Sequence, residues 1–119
     1  MVEVSVIVIK GNKVLLGESS GWGTWDFPRA YLDLNGKSVN HALRRVEEET
    51  GLEVELIDES PVLVTNNSST KENEHYVMKV RHVRGNPDGR ANWFDWYKMP
   101  PDISSIVKDL TKGYNPFRT

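Results

Sequence analysis

Residues 44–52 of the chain read Arg-Arg-Val-Glu-Glu-Glu-Thr-Gly-Leu, and this stretch decides the fold. On a helix that advances about 100° per residue, four charged side chains fall within about 140° of arc: Arg44, Arg45, Glu48 and Glu49. The opposite side of the helix is apolar at the spacing of a packed helix, at Val39, Ala42, Leu43 and Val46. Adjacent carboxylates beside arginines on a packed helix suit a divalent cation and, through it, a phosphate-bearing substrate.

The composition limits both the size of the fold and the classes of site. The chain has 119 residues, with 15 basic and 17 acidic side chains and a net charge of −2. This length predicts one domain with its own core. This charge indicates that a strongly cationic nucleic-acid footprint is absent, while a local basic patch stays open. There are no cysteines, which excludes disulfides, thiolate metal sites and a cysteine nucleophile. The three histidines lack the spacing of a zinc site.

The first residues and the hydropathy of the chain bear on its location. Residues 1–9 are rich in β-branched side chains and lack the basic start and small-residue cleavage site of a signal peptide. No apolar run approaches the about 20 residues of a membrane span. We therefore expect a cytoplasmic protein without membrane contact.

The order of predicted elements mixes strands with two helices. Residues 2–9 and 13–17 are apolar runs, and Gly11-Asn12 between them is a tight-turn signal that predicts a β-hairpin. Ser38 is a suitable N-cap for the central helix, and Gly51 supplies its left-handed C-terminal position. The remaining predictions are extended segments at 25–28 and 30–34, strands within 53–64, 75–83 and 92–98, and a final helix from Pro101-Asp102 to about Leu110. This order predicts an α/β fold with a mixed sheet between helices.

The pattern around the central helix resembles the signature of the Nudix (MutT-like) hydrolase family. That signature is Gly, five residues, Glu, seven residues and then Arg-Glu-U-x-Glu-Glu-x-Gly-U, in which U is a bulky aliphatic residue. Six residues match its second half: Arg44, Val46, Glu48, Glu49, Gly51 and Leu52. The flanking elements agree as well, so the resemblance covers essentially the whole chain. It implies a Nudix-type α/β/α sandwich, with residues 1–119 as a single Nudix domain.

Three positions depart from the signature, so the Nudix box of this chain is degenerate. The signature's Gly falls on Ala30 and its first Glu on Gly36, and a shift by one residue places Lys37 at the Glu position instead. Arg45 stands where the family has a Glu that serves several members as a catalytic base or an additional metal ligand. Arg45 cannot be a base, because guanidinium does not deprotonate in proteins.

The resemblance implies an activity and a cofactor. The activity is hydrolysis of a pyrophosphate bond in a nucleoside diphosphate linked to another group, a class that includes dinucleoside polyphosphates. The implied cofactor is Mg²⁺ or Mn²⁺, held by the catalytic carboxylates of Glu48 and Glu49 and by the backbone carbonyl of Arg29. The catalytic base then has to come from a position other than 45, and some family members place it on a loop outside the box. Its candidates, in order of preference, are Glu72 and Glu74, followed by Asp33 and Glu47.

Substrate contacts are expected from arginines and aromatic residues near the box. Arg45 has two open roles, a bidentate contact to a substrate phosphate or a salt bridge with Glu49 one helical turn away. Arg29 is a further candidate contact, and Trp25 and Tyr31 are candidates for stacking on a base. Aromatic side chains in strands more often belong to a core, and that role stays open for both.

A non-catalytic module on the same fold, which binds a nucleotide or a protein, is the alternative function. The loss of two Glu positions from the box is typical of an inactive copy. The expected partner of the hydrolase is a nucleotide-type small molecule, and the chain is expected to be a monomer or a homodimer. Nucleic acid is not an expected partner, with capped RNA as the one form left open.

Overall fold

The computed structural model describes residues 2–18, 23–32, 39–57, 62–65, 74–87 and 90–117. Within them it contains eight strands and two helices, which are β1 Val2–Lys10, β2 Lys13–Glu18, β3 Trp25–Asp26, β4 Arg29–Leu32, α1 Val39–Thr50, β5 Glu53–Leu56, β6 Val62–Thr65, β7 Glu74–Arg84, β8 Ala91–Asp95 and α2 Ser105–Thr111. Several residues named above lie outside the described ranges, namely Asp33, Gly36, Lys37, Ser38 and Glu72.

The strands form one mixed sheet, in which β3, β2, β1, β7 and β5 are successive neighbours. β4 also pairs with β1, β6 with β7 and β8 with β2. β1 and β7 run parallel, and the other paired strands run antiparallel. The hairpin of β1 and β2 confirms the predicted turn, where Gly11 has a φ of 63°. A glycine adopts this left-handed conformation without steric cost.

The segment from Trp25 to Leu32 pairs with both strands of that hairpin. Its first part, β3, pairs with β2, and its second part, β4, pairs with β1. Between the two, the N–H of Val6 donates to the carbonyl of Pro28 at 2.8 Å. Because α1 packs against β4, this segment lies beside the central helix.

Side chains alternate across the sheet, and each face packs against one helix. On β1, Val4, Val6 and Val8 join the core beneath α1, whereas Ile7 and Ile9 join the core beneath α2. This period of two is that of a strand buried on both faces. The predicted α/β/α sandwich with a mixed sheet is therefore confirmed.

The central helix has the predicted buried face and the predicted end. Ala42, Val46 and Thr50 are its buried residues. After Thr50, Gly51 has a φ of 75°, and its N–H donates to the carbonyl of Glu47 at 2.9 Å. Only a residue without a Cβ enters this conformation readily, so Gly51 ends the helix and turns the chain into β5.

The two helices in the described residues have 12 and 7 residues. Neither is long and apolar enough to cross a membrane. The expected cytoplasmic location and the organisation as a single domain stay predictions.

The final helix begins later than the sequence predicts. α2 starts at Ser105, with Ser104 as its N-cap, and not at Pro101-Asp102. The reason is a long-range backbone contact, because the N–H of Trp25 donates to the carbonyl of Asp102 at 2.7 Å and the N–H of Ser104 donates to the carbonyl of Trp25 at 2.9 Å. Pairing with β3 therefore holds this part of the chain extended.

The aromatic strand is shorter than predicted and ends at Asp95. The N–H of Lys98 donates to the carbonyl of Asp95 at 3.0 Å, and the N–H of Tyr97 donates to the Asp95 carboxylate at 2.9 Å. These bonds form a turn over residues 95–98. Trp96 is buried within this turn, whereas Tyr97 is 74% exposed.

Candidate active site

A cleft of about 410 Å³ opens on the α1 side of the sheet. Its walls are formed by β2, by the segment from Trp25 to Leu32, by the C-terminal half of α1 and by the start of β8. Leu15 and Gly17 contribute from β2, and Ala91 contributes from β8. Six charged residues line the cleft, namely Glu18, Asp26, Arg29, Arg45, Glu49 and Arg90. A cleft with these side chains suits a ligand that carries both an apolar group and phosphates.

Arg45 and Glu49 form an ion pair across one turn of α1. The guanidinium nitrogen Nη2 lies 3.4 Å from Oε1 of Glu49, and the two side chains are 58% and 43% exposed. The salt bridge foreseen as one of the two roles of Arg45 is therefore present. Exposed pairs at this spacing contribute only about 0.3–0.5 kcal/mol, because water and salt screen the charges. A stronger ligand can therefore separate them at little cost.

The three glutamates at 47–49 point in different directions, because successive helical residues are about 100° apart. Glu49 lines the cleft, whereas Glu48 is exposed and does not line it. Glu48 lies two residues after buried Val46, and thus about 200° around the helix from the core. Glu47 accepts a hydrogen bond from the N–H of Val54 at 3.1 Å, which ties α1 to β5. Among these three carboxylates, Glu49 alone belongs to the cleft.

Arg29 lies on the β4 wall of the cleft and is held by two carboxylates. It forms an ion pair with Glu3, and its Nη2 donates to Oδ2 of Asp26 at 2.6 Å. The other oxygen of Asp26 accepts from the N–H of Phe27 and from the hydroxyl of Ser104, both at 2.8 Å. Asp26 thereby connects the cleft to the N-cap of α2. Burial opposes the charge of Arg29, yet these carboxylates outweigh burial and raise its pKa.

Tyr31 lies at the rim of the cleft and is 53% exposed. Its hydroxyl donates to Oε2 of Glu3 at 3.0 Å. Hydrogen bonding from Arg29 lowers the pKa of Glu3, although burial acts in the opposite direction. The hydrogen bond to Glu3 raises the pKa of Tyr31, so this phenol is a neutral donor at physiological pH.

The acidic residues of the cleft do not form a complete metal cage. Within the described ranges, no three Asp, Glu, His or Cys side chains lie together as a metal site. Asp26 already accepts three hydrogen bonds, whereas Glu18 and Glu49 are exposed. Mg²⁺ is commonly bound through one or two carboxylates together with substrate phosphates and water. Glu18 and Glu49 are therefore the lining carboxylates that remain accessible to an ion that arrives with its substrate.

Other candidate residues lie away from the cleft. Trp25 packs on the α2 side, where its ring centroid is 4.8 Å from that of Phe94 in an edge-to-face contact. His75, beside the candidate base Glu74, lies on the same side, with Nε2 3.2 Å from Oδ2 of Asp109. Among the described aromatic residues proposed to stack on a base, Tyr31 therefore lines the cleft and Trp25 does not.

The candidate bases outside the box are at the limits of the described structure. Glu74 is the first residue of β7, and its backbone pairs with that of Thr65. Its side chain, like Glu72 and Asp33, falls outside what the structure describes. Their role as base stays a prediction.

The sequence alone did not point to Glu18, Asp26 or Arg90 as cleft residues. Glu18 and Arg90 meet because β2 and β8 are neighbours, and the N–H of Glu18 donates to the carbonyl of Arg90 at 2.7 Å. Asp26 lies within the Trp-Asp-Phe-Pro segment, which was assigned only an extended conformation. The sequence does not show which strands are neighbours, so it could not place these residues in one cleft. Their one available signal was that Glu18 and Arg90 are charged residues at the ends of predicted strands.

Comparison with known proteins agrees with this geometry. The family model of the NUDIX domain matches residues 1–106, so the chain belongs to the NUDIX family. The sequence-based prediction of a Nudix-type pyrophosphohydrolase is confirmed at the level of this family.

Solved structures share the fold at low sequence identity. A NUDIX-family hydrolase from Clostridium perfringens has 17% identity and a TM-score of 0.59, over 92% of this chain and 93% of that one. An ADP-ribose pyrophosphatase from Streptococcus suis has 18% identity and a TM-score of 0.64, over 92% and 83%. A UDP-X diphosphatase has 16% identity and a TM-score of 0.57, over 82% and 52%. At these identities the likeness shows the fold.

Proposed function

We propose that this protein hydrolyses the pyrophosphate bond of a nucleoside diphosphate linked to a second group. The observation that carries the proposal is the cleft of about 410 Å³ beside the Nudix helix, which is lined by exposed Arg45 and Arg90 and by Arg29 in its wall. Guanidinium groups recognise phosphate oxygens in bidentate fashion. The names of two structural neighbours, an ADP-ribose pyrophosphatase and a UDP-X diphosphatase, describe substrates of this class and support the proposal.

We propose that turnover also depends on Mg²⁺ or Mn²⁺. The carboxylates of Glu49 and Glu18 are the described groups of the cleft that would contact the ion, and Glu48 and the carbonyl of Arg29 are the further candidates from the family pattern. A bound ion would neutralise charge on the diphosphate and help to activate a water. The charge that develops on the phosphate oxygens would be stabilised by the arginines of the cleft.

The attacking water also needs a proton acceptor. Glu72 and Glu74 remain the candidates from the sequence, and the cleft adds Glu18, which is exposed and makes no ion pair within the described residues. Single variants Glu18→Gln, Glu72→Gln and Glu74→Gln separate the three. The base is the residue whose loss removes the rise of kcat with pH, because a glutamine cannot accept the proton.

The test is turnover of a substrate panel by the purified chain. ADP-ribose, a UDP-sugar, a dinucleoside polyphosphate, an oxidised nucleoside triphosphate and capped RNA are each incubated with Mg²⁺, with Mn²⁺ and with EDTA. We expect release of a nucleoside monophosphate from the first two substrates, with either metal and not with EDTA. Absence of turnover from every substrate with both metals contradicts the proposal.

A non-catalytic nucleotide-binding module is the second candidate. The observation that favours it is the ion pair of Arg45 with Glu49, which engages the carboxylate that the family pattern assigns to metal. Retained nucleotide binding without turnover in the same panel is the result expected of such a module.

A further inference from the structure

Two arginines of the cleft keep donors available for a ligand. Among the described residues, the one ion pair of Arg45 is with Glu49 at 3.4 Å, although its guanidinium carries five N–H donors. Arg90 is exposed, and within the described residues its side chain has no ion pair. Both line the same cleft, Arg45 from α1 and Arg90 from the turn just before β8. A ligand in this space meets guanidinium groups on two of its walls.

Arg29 differs from these two. It forms ion pairs with Glu3 and Asp26, and its side chain is 31% exposed. A guanidinium that already has two carboxylate partners in a part-buried network gains little from a third anion. Arg29 therefore shapes the wall of the cleft, and the donors for an incoming anion come from Arg45 and Arg90.

The carboxylates of the cleft are few and partly engaged. Asp26 accepts hydrogen bonds from three donors, and Glu49 is paired with Arg45. The described residues contain no cluster of three metal-binding side chains. Direct contacts from guanidinium groups are consequently the main attraction that this cleft offers to a phosphate before any metal is bound.

We infer that Arg45 and Arg90 bind the diphosphate group directly, so that this cleft takes up a nucleoside diphosphate without a metal ion. The inference rests on the proposed function, because it concerns the same cleft and the same substrate class. Each arginine presents a planar fork that matches two phosphate oxygens. The phosphate takes the place of Glu49 at Arg45, and the exchange costs little because that pair is exposed. Metal then serves the chemical step and is not needed for binding.

The experiment is calorimetric titration with α,β-methylene-ADP, a probe that cannot be hydrolysed between its phosphates. Titrations are made in EDTA and in Mg²⁺. We expect the wild-type chain to bind in EDTA, with a Kd within about threefold of that in Mg²⁺. Arg45→Ala and Arg90→Ala should each raise the Kd in EDTA by about tenfold or more, as expected for the loss of charge-assisted hydrogen bonds. Arg45→Lys should give a smaller rise, since it keeps the charge and loses the fork.

Arg84→Ala is the matched control. Arg84 is an exposed arginine that pairs with Glu53 between β7 and β5, outside the cleft, so its loss should leave the Kd unchanged. Arg45→Glu restores the residue of the family signature and should make binding dependent on metal. This variant should not bind α,β-methylene-ADP in EDTA and should bind it in Mg²⁺. The same substitution should raise the rate of turnover if a carboxylate at this position adds a metal ligand.

The inference is overturned if the wild-type chain binds in Mg²⁺ and not in EDTA, or if Arg45→Ala and Arg84→Ala give the same Kd. Its failure is distinct from failure of the proposed function, which is measured by turnover of the substrate panel. Binding in EDTA without turnover of any substrate removes the proposed activity and keeps the inference. Turnover of a substrate, together with binding that occurs in Mg²⁺ only, supports the proposed activity and overturns the inference.

Discussion

The two faces of the sheet differ in how their side chains are packed and exposed. Beneath α2 lies a closed aromatic core, in which Trp96 stacks on Phe27 and meets Tyr114 and Phe117 edge to face. Beside α1 the structure opens into a cleft whose charged side chains are largely exposed. Buried apolar contacts dominate stability, whereas exposed ion pairs contribute little. Substitutions on the α2 face should therefore alter stability, and substitutions in the cleft should alter binding and turnover.

The strongest test of this division is Trp96→Ala. The Trp96 side chain is 2% exposed, and its Nε1 donates to the carbonyl of Tyr114 at 3.1 Å. Its loss leaves a large cavity and removes the hydrogen bond to Tyr114, so the free energy of unfolding should fall by about 3–5 kcal/mol. Urea denaturation followed by circular dichroism measures the change. Tyr97→Ala, at an adjacent aromatic residue that is 74% exposed, is the control and should change the free energy of unfolding by less than about 0.5 kcal/mol.

The next test acts on the cleft face. Glu49→Gln should lower kcat/KM for ADP-ribose in Mg²⁺ by about hundredfold, which corresponds to about 2.7 kcal/mol in the activation free energy. Its effect on the free energy of unfolding should stay below about 0.5 kcal/mol, because the pair with Arg45 is exposed. Glu48→Gln is the comparison, and its loss of activity should be smaller, because Glu48 does not line the cleft. Equal losses would assign both carboxylates to the ion.

A third test concerns Ser104, which joins the N-cap of α2 to Asp26 in the cleft. Ser104 caps α2 by accepting from the N–H of Val107 at 3.3 Å, and it donates to Asp26, which holds Arg29 in the cleft. Ser104→Ala should lower the free energy of unfolding by about 1 kcal/mol, the usual cost of an N-cap. Ser105→Ala, one residue further on the exposed side of α2, is the control. Alanine has a higher helix propensity than serine, so Ser105→Ala should leave the free energy of unfolding unchanged or raise it. A similar loss in both variants would mean that the cap is not responsible.

Local patterns predicted the parts of the fold that depend on neighbours in sequence. The turn at Gly11-Asn12 and the end of α1 at Gly51 follow from conformations that glycine adopts freely. The pair of Arg45 with Glu49 follows from helical spacing alone. In each case the interacting groups lie within one turn or one hairpin, so a short window of sequence contains both partners.

Contacts between distant residues set the parts that the sequence did not predict. The start of α2 depends on Trp25, whose backbone pairs with that of Asp102 and Ser104. No local signal distinguishes this from a helix that opens at Pro101-Asp102. The cleft has the same origin, because Glu18 and Arg90 meet only once β2 and β8 are neighbours. The central helix is recognisable from the sequence, but the other residues of the cleft can be assigned only when the order of the strands is known.

The smallest expected effect concerns Glu3, at the edge of the cleft. Hydrogen bonding from Arg29 lowers the pKa of Glu3 below its usual value of 4.5 in the folded protein. A carboxyl group with a lowered pKa stabilises the fold above its unfolded pKa, and this contribution disappears as the pH falls through the folded pKa. Glu3→Gln should therefore lower the free energy of unfolding at pH 7 by about 0.2–1 kcal/mol, since the pair is partly exposed.

The pH dependence of that difference separates the ion pair from simple packing. Urea denaturation of the wild-type chain and of Glu3→Gln, repeated between pH 7 and pH 3, should give curves that converge towards acid. A difference that stays constant over this range would mean that Glu3 acts through its shape and not through its charge. A difference that grows towards acid would contradict the lowered pKa itself. Convergence, together with a difference below about 1 kcal/mol at pH 7, would mark this carboxylate at the edge of the cleft as a minor contributor to stability, as expected of a face whose charges serve binding.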